Sequence, residues 1–134
     1  MIMDLIKIDG ISYDVSIRAI EENFNILYSE NTGRSATVGA KMILDPLGTF
    51  FGHKVVFARK NGRETHFDRL FEVLSTPVYD GFGIEAVHGQ SKISYTAYVS
   101  QGSRSVKKVD PNSGKVYWDE FEVNFIPMEA QVTP

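Results

Sequence analysis

The sequence predicts a mainly β domain: an antiparallel β-sandwich or split barrel with a single α-helix packed on its outside. Three observations favour this fold class. About eight short segments are rich in β-branched and aromatic residues and are bounded by Gly, Pro, Asn and Asp. One segment alone has the periodicity of an amphipathic helix. Strands and helices do not alternate as they do in a parallel sheet.

The first two elements are predicted strands. Residues 5–8 and 11–13 flank Asp9-Gly10, a pair that supplies the positive φ angles of a type I′ hairpin turn. Residues 17–28 fit both a helical stripe and a strand alternation. Asn23, Asn25 and three isoleucines weaken the helix. We predict a strand with an irregular start.

The stretch from Ser29 to Phe57 begins as a polar, Gly-punctuated loop and continues into an apolar strand. Residues 42–58 predict strand material that is interrupted by a turn at residues 45–48, with Gly52 as a bulge. The loop is too apolar for a free linker, since it contains Val38 and the run 42–44. A segment of this kind finds its partner surface on another subunit, which indicates assembly.

The predicted helix runs from Thr65 to Leu74. Its apolar residues recur at i, i+3, i+4 and i+7, which places them on one face. Thr65 is the predicted N-cap, with Asp68 three residues later. Pro77 ends the helix because proline disfavours helical geometry in the residue before it.

The second half of the chain predicts further strands. Residues 82–87 and 92–100 form two of them, while residues 101–108 are polar and expected to be mobile. Beyond a dense turn at residues 110–114, the chain is extended from 115 to 128. One face of that strand carries Phe121, Val123 and Phe125, and the other carries Glu120, Glu122 and Asn124.

Length and composition predict one domain over residues 1–134, with a short flexible tail at 129–134. The hydrophobic fraction of 43% and the charged fraction of 23% are ordinary globular values. Cysteine is absent, which excludes disulfides and thiolate chemistry. The net charge of −3 disfavours specific nucleic-acid binding. No apolar run has membrane-spanning length, so we expect a soluble protein made inside the cell.

Motifs that carry chemistry lack their structural context. Gly81-x-Gly83-x-x-Ala86 has the outline of a dinucleotide fingerprint, but a turn precedes it and Gly89 follows, where a helix is required. Asp110-x-Asn112-x-Gly114 resembles a calcium loop whose twelfth position would be Phe121. These segments are typical of turns.

The remaining candidates are equally incomplete. Ser105-Val106-Lys107-Lys108 matches S-x-x-K without its companion motifs. The three histidines, His53, His66 and His88, have no metal-ligand spacing. We therefore expect no catalytic residue, no cofactor and no metal site, and a protein that is not an enzyme.

Three parts of the chain resemble small structural proteins of tailed-phage and prophage tails from Gram-positive hosts. The opening at Ile6–Val15 is similar to their first hairpin. The segment Glu30–Arg34, followed by Met42–Asp45 and Gly48–Phe50, resembles their passage from loop to strand. The segment Trp118–Met128 resembles their closing strand.

The resemblance implies the β-sandwich or split barrel of tail tube and distal tail proteins. Subunits of those families form rings, commonly of six, whose strands pair across subunit edges. It therefore implies a ring homo-oligomer, likewise a hexamer, in the virion tail, either in the tube or in the distal tail and baseplate region. Other tail proteins would be its partners, and assembly would follow synthesis in the bacterial cytoplasm.

Four residues near the start of the stretch from Ser29 to Phe57 are predicted to lie at the subunit boundary: Arg34, Val38, Lys41 and Met42. They combine charge with apolar surface beyond the needs of a core. Two alternatives stay open. One is an adaptor or chaperone of tail assembly, and the other is a small β-barrel module that binds a small ligand or a carbohydrate. A binding module would expose an aromatic-lined pocket, whereas a ring subunit would have large contacts with its neighbours.

Overall fold

A computed structural model describes residues 5–36 and 39–134 of the protein. The described residues are mainly β, with one helix, which confirms the predicted fold class. The strands are β1 (Ile6–Ile8), β2 (Ser16–Tyr28), β3 (Gly33–Arg34), β4 (Met42–Ile43), β5 (Pro46–Ala58), β6 (Phe82–His88), β7 (Ser91–Tyr98), β8 (Val106–Val109), β9 (Val116–Trp118) and β10 (Phe121–Pro127), and the helix is α1 (Glu64–Ser75).

The main sheet is antiparallel and curled into a half-barrel, with the strand order β1-β6-β7-β10-β5-β2. Two further pairs, β3 with β4 and β8 with β9, form small two-stranded sheets. Strand β10 changes partner along its length. Its residues Phe121–Phe125 pair with β5, whereas Ile126 and Pro127 pair with β7. The strand β10 therefore joins the two halves of the sheet.

The core lies between the concave face of this sheet and α1. The predicted alternation of the closing strand is confirmed, since Phe121, Val123 and Phe125 are buried while Glu122 and Asn124 are exposed. The ring of Phe121 lies 5.1 Å from that of Phe67 on α1, measured between centroids. Aromatic pairs at such distances add to the stabilisation from apolar burial.

The helix begins one residue before its predicted start, and Thr65 is not its N-cap. Arg63 occupies that position and makes no side-chain capping bond. Backbone hydrogen bonds lower the pKa of Glu64 in the first turn, where a carboxylate also complements the helix dipole. Thr76 is extended before Pro77, so the predicted end of the helix is confirmed.

The structure corrects three local predictions. Asp9 and Gly10 have the expected positive φ angles of 52° and 78°, but residues 11–13 form only a bridge to Ile8, and β1 pairs with β6. Residues 46–48 belong to β5 and not to a turn. Gly52 lies in continuous register without a bulge, and a Cβ there would approach the Phe125 carbonyl oxygen to 2.9 Å.

Two further segments differ from what the sequence suggests. The polar segment 101–108 ends in β8, and the Arg104 guanidinium lies 4.2 Å from the centroid of the Trp118 ring. Residues 129–134, which are predicted to be a flexible tail, contact β5 through Gln131 and Val132. Their flexibility itself stays a prediction.

Candidate functional site: the projecting arm

The most distinctive feature of the molecule is a β-hairpin that continues past the end of the pairing between β10 and β5. Strands β2 and β5 pair over their full lengths, whereas β10 pairs with β5 only from His53 onward. The described residues of 23–51 therefore form a two-stranded ribbon with β3 and β4 at its tip. We call these residues the arm. The arm contains most of the stretch whose composition indicates assembly.

The arm carries much of the exposed apolar surface of the protein. Phe24 is the most exposed of its large apolar side chains, with 67% of its surface accessible. Of seventeen exposed large hydrophobic residues among those described, eight lie on the arm: Phe24, Ile26, Leu27, Tyr28, Met42, Ile43, Leu44 and Leu47. Large exposed apolar patches occur at interaction surfaces more often than elsewhere on soluble proteins.

The β2 side of the arm is an open sheet edge, since β2 is the last strand of its sheet and, among the described residues, pairs only with β5. Backbone groups of Thr49 and Phe51 face away from β2, because they bond to residues 131 and 132. Their register partners Ile26 and Phe24 are therefore non-hydrogen-bonded pairs. The N–H and C=O groups of Phe24 and Ile26 face the open edge.

A polar cluster fixes the bend between this ribbon and its tip. The Asp45 carboxylate accepts a hydrogen bond from the Ser29 hydroxyl, and the Asp45 N–H donates to Thr32 Oγ1 at 2.8 Å. The Ser29 N–H also donates to the Asp45 carbonyl oxygen at 2.9 Å. These bonds close the chain across the base of the tip, so that β3 and β4 have a defined direction.

Three of the four predicted boundary residues lie at this tip. Arg34 of β3 pairs with Met42 of β4, and the Arg34 guanidinium donates to the Ala40 carbonyl oxygen at 3.4 Å. The Lys41 carbonyl oxygen accepts from Ser35 at 2.7 Å. Val38 lies outside the described residues. The tip is therefore a small hairpin, and the role of these residues at a subunit boundary stays a prediction.

At the root of the arm, a buried histidine connects three strands. His53 is fully buried, its Nε2–H donates to the Val87 carbonyl oxygen at 2.8 Å, and its Nδ1 accepts from the Tyr95 hydroxyl at 2.7 Å. Burial raises the pKa of Tyr95 well above its usual value, which keeps the hydroxyl available as a donor. This network links β5 to β6 and β7.

Two of the three histidines singled out in the sequence meet at one carboxylate. Glu22 on β2 lies 2.7 Å from His88 Nδ1 and 3.4 Å from His53 Nε2. His66 is on the exposed side of α1 and is not part of this cluster. Within the described ranges, no group of three or more His, Cys, Asp or Glu side chains is arranged to hold a metal ion. Through Glu22 the cluster links β2 to β5 and β6, and we call it the polar anchor of the arm.

A cavity of about 650 Å³ lies beside this anchor. The ring of Phe51 contacts that of His88 edge to face at 4.9 Å, and both line the cavity. Its other walls combine aromatic, apolar and polar side chains, which include Tyr79, Asp80, Ile93, Ser94, Tyr95 and Thr96. Sequence reasoning missed this cavity because its walls come from segments distant in the chain.

The segment with the dinucleotide outline, Gly81–Ala86, enters β6. A strand at this place does not present the helix N-terminus that binds pyrophosphate.

No helix in the described residues is long and apolar enough to cross a membrane. No protein-family model and no curated protein matches the sequence.

Proposed function

We propose that this chain is a non-enzymatic, self-assembling structural component of a phage or prophage tail. Copies of it form a ring, of six subunits, in the tail tube or in the distal tail and baseplate region. The chain is made and assembled in the bacterial cytoplasm and ends in the virion, where other tail proteins contact it. The observation that carries this proposal is the projecting arm with its apolar surface and open edge.

The arm has the properties that a subunit contact requires. An open edge of thirteen residues is an aggregation hazard unless a partner covers it. Strand addition by a second copy would satisfy the outward N–H and C=O groups of Phe24 and Ile26, while the exposed apolar side chains supply burial. Contacts between unlike surfaces of identical subunits close into a ring when the rotation between neighbours allows it.

The resemblance in the sequence supports the tail assignment. Glu30–Arg34 and Met42–Asp45, which resemble the loop-to-strand passage of tail proteins, lie on the arm. Trp118–Met128, which resembles their closing strand, contains β10. The ring size and the partner proteins come from this resemblance.

A proline at the open edge tests the proposal. Ile26→Pro removes an N–H that faces away from β5, a position where an edge strand tolerates proline. Ile26→Ala is the matched control, since it removes the same apolar side chain and keeps that N–H. Sedimentation velocity and negative-stain images would be recorded for the intact protein and for both variants, after thermal melting has shown that each is folded.

We expect rings from the intact protein, weakened rings from Ile26→Ala and folded monomers from Ile26→Pro. An intact protein that stays monomeric at high concentration, without rings in the images, contradicts the proposal. A monomer or dimer that binds another tail protein without forming rings supports the adaptor or chaperone role instead. If Ile26→Pro assembles like the intact protein, the open edge is not the contact.

The cavity at the arm root favours a second candidate function, a module that binds a small ligand or a carbohydrate. Its volume lies in the range of small-molecule sites, and aromatic and polar side chains both line it. Titration of the protein with neutral saccharides, followed by NMR, would move the signals of Tyr79 and Tyr95. Unchanged signals at about 10 mM saccharide exclude binding in the useful range.

A further inference from the structure

The second edge of the arm, on β5, is closed by the chain itself. Where β10 has turned away to β7, Thr49 donates to the Val132 carbonyl oxygen at 2.9 Å. The Thr49 carbonyl oxygen accepts from the N–H groups of Gln131 at 3.1 Å and of Val132 at 3.4 Å. These bonds form a single antiparallel bridge, which occupies the place of a neighbouring strand.

The Gln131 side chain extends this closure by two residues. Its Oε1 accepts from the Phe51 N–H at 2.8 Å, and its Nε2 donates to the Phe51 carbonyl oxygen at 2.9 Å. One carboxamide therefore satisfies both backbone groups of Phe51, as a residue of an adjacent strand would do. A primary amide has the donor and acceptor that this requires.

Gly48 makes room for the closing segment. A Cβ at this position would lie 2.6 Å from Ala130 Cβ and 2.9 Å from the Val132 carbonyl oxygen. Contacts that short force one of the two segments to move. The glycine thus lets residues 130–132 lie directly against β5.

We propose that residues 129–132 are an edge cap, which leaves the arm with one strand-accepting edge for a second copy of the chain. A ribbon with two open edges would accept a strand on each side, and its assemblies would branch or grow without closing. With the β5 edge capped, the arm accepts a strand only along β2, and in a ring that strand comes from a different surface of the neighbouring copy. This inference rests on the proposed ring, and it identifies the segment that limits each arm to one strand-accepting edge.

Hydrogen exchange tests the cap in the folded protein. Gln131→Ala removes both side-chain bonds to Phe51, and truncation after Met128 removes the whole cap. Thr133→Ala is the matched control, because residue 133 makes none of these bonds. Exchange of individual backbone amides would be followed by NMR in dilute solution, and the assemblies by sedimentation velocity and negative-stain imaging.

We expect the Phe51 amide to exchange about tenfold faster in Gln131→Ala. In the truncated protein the Thr49 amide should also exchange about tenfold faster. The amides of Phe50 and Gly52, which face β2, should stay protected. The truncated protein should form heterogeneous, larger assemblies in place of rings, with Thr133→Ala unchanged.

Unchanged protection of Thr49 and Phe51 in the truncated protein overturns the cap. Lost protection together with rings of the original size overturns its role in limiting assembly. If the intact protein never forms rings, the proposed function fails, and with it the assembly role. The exchange rates still decide whether residues 129–132 close the β5 edge, so the two failures are distinguishable.

Discussion

The double substitution Ile43→Ser and Leu44→Ser at the arm tip should weaken assembly without unfolding the subunit. The two side chains expose 55% and 58% of their surfaces. A neighbouring subunit can therefore bury only about half of the surface of each side chain, because the subunit itself already buries the rest. Full burial of such a side chain stabilises by about 1.5–3 kcal/mol, so the covered half contributes about 1–1.5 kcal/mol per residue.

Together the two substitutions should cost about 2–3 kcal/mol at each subunit contact, which weakens that contact about 30- to 150-fold. The melting temperature of the isolated subunit should change little, because substitutions of exposed residues are usually within about 0.5 kcal/mol. Sedimentation velocity over a concentration series measures the shift in the midpoint of assembly.

Val106→Ser with Val109→Ser is the matched control, since these residues of β8 expose 49% and 54% of their surfaces away from the arm. The control should leave the assembly midpoint in place. Equal weakening by both pairs would mean that general solubility, and not the arm, controls association. An unchanged midpoint for the arm pair would refute the reasoning directly.

Three further predictions concern the body and the tip. His53→Ala should lower the free energy of unfolding by about 3 kcal/mol in urea titrations, because it leaves a cavity and two partly buried groups unpaired. An equal loss in His88→Ala, whose ring is partly exposed, would contradict this. A hydrogen bond from Lys60 lowers the pKa of Asp14 from its usual value of 3.8. The ionised Asp14 therefore stabilises the fold above that pH, and this stabilisation is lost as the pH falls through the lower pKa of the folded state. The melting-temperature difference between the intact protein and Asp14→Asn should accordingly shrink below pH 3.8, and a constant difference would refute it. Deletion of residues 31–39 should leave a folded subunit by circular dichroism that no longer assembles, whereas an unfolded product would assign those residues to the core.

Local signals in the sequence predict the elements whose structure depends on near neighbours. The alternation at Phe121, Val123 and Phe125 specifies a half-buried strand, because a period of two places them on one face. Asp9-Gly10 specifies its turn through positive φ angles. Pro77 determines where α1 stops.

Pairing between distant segments is not available from such signals. Residues 11–13 follow a good hairpin turn, yet β1 gains more contact from β6, whose paired residues lie nearly eighty positions away. Arg104 belongs to a polar run, but packs on Trp118 and bonds to Asp68 at 2.7 Å. The faces of the Arg104 guanidinium are covered by aromatic packing, while its edge donates to the charged carboxylate of Asp68.

The candidate site divides in the same way. The apolar excess in the loop before β5 predicts that the region needs a partner, and the run 42–44 is exposed on the arm. The edge cap could not be foreseen, because Gln131 substitutes for a strand through its side chain. The meeting of His53 and His88 at Glu22 likewise depends on the register of three strands.

The change of partner along β10 has a consequence for how the chain folds during synthesis. Strands β5 and β2 on one side, and β7, β6 and β1 on the other, are joined in the main sheet only through residues 121–127 among those described. The hairpins β2–β5 and β6–β7 need only contacts within the earlier chain, whereas β10 is synthesised after both. We therefore expect its long-range pairing to be the late, slow step. A chain that still lacks β10 has no strand pairing between its two half-sheets, so the six-stranded main sheet is complete only when β10 pairs with both.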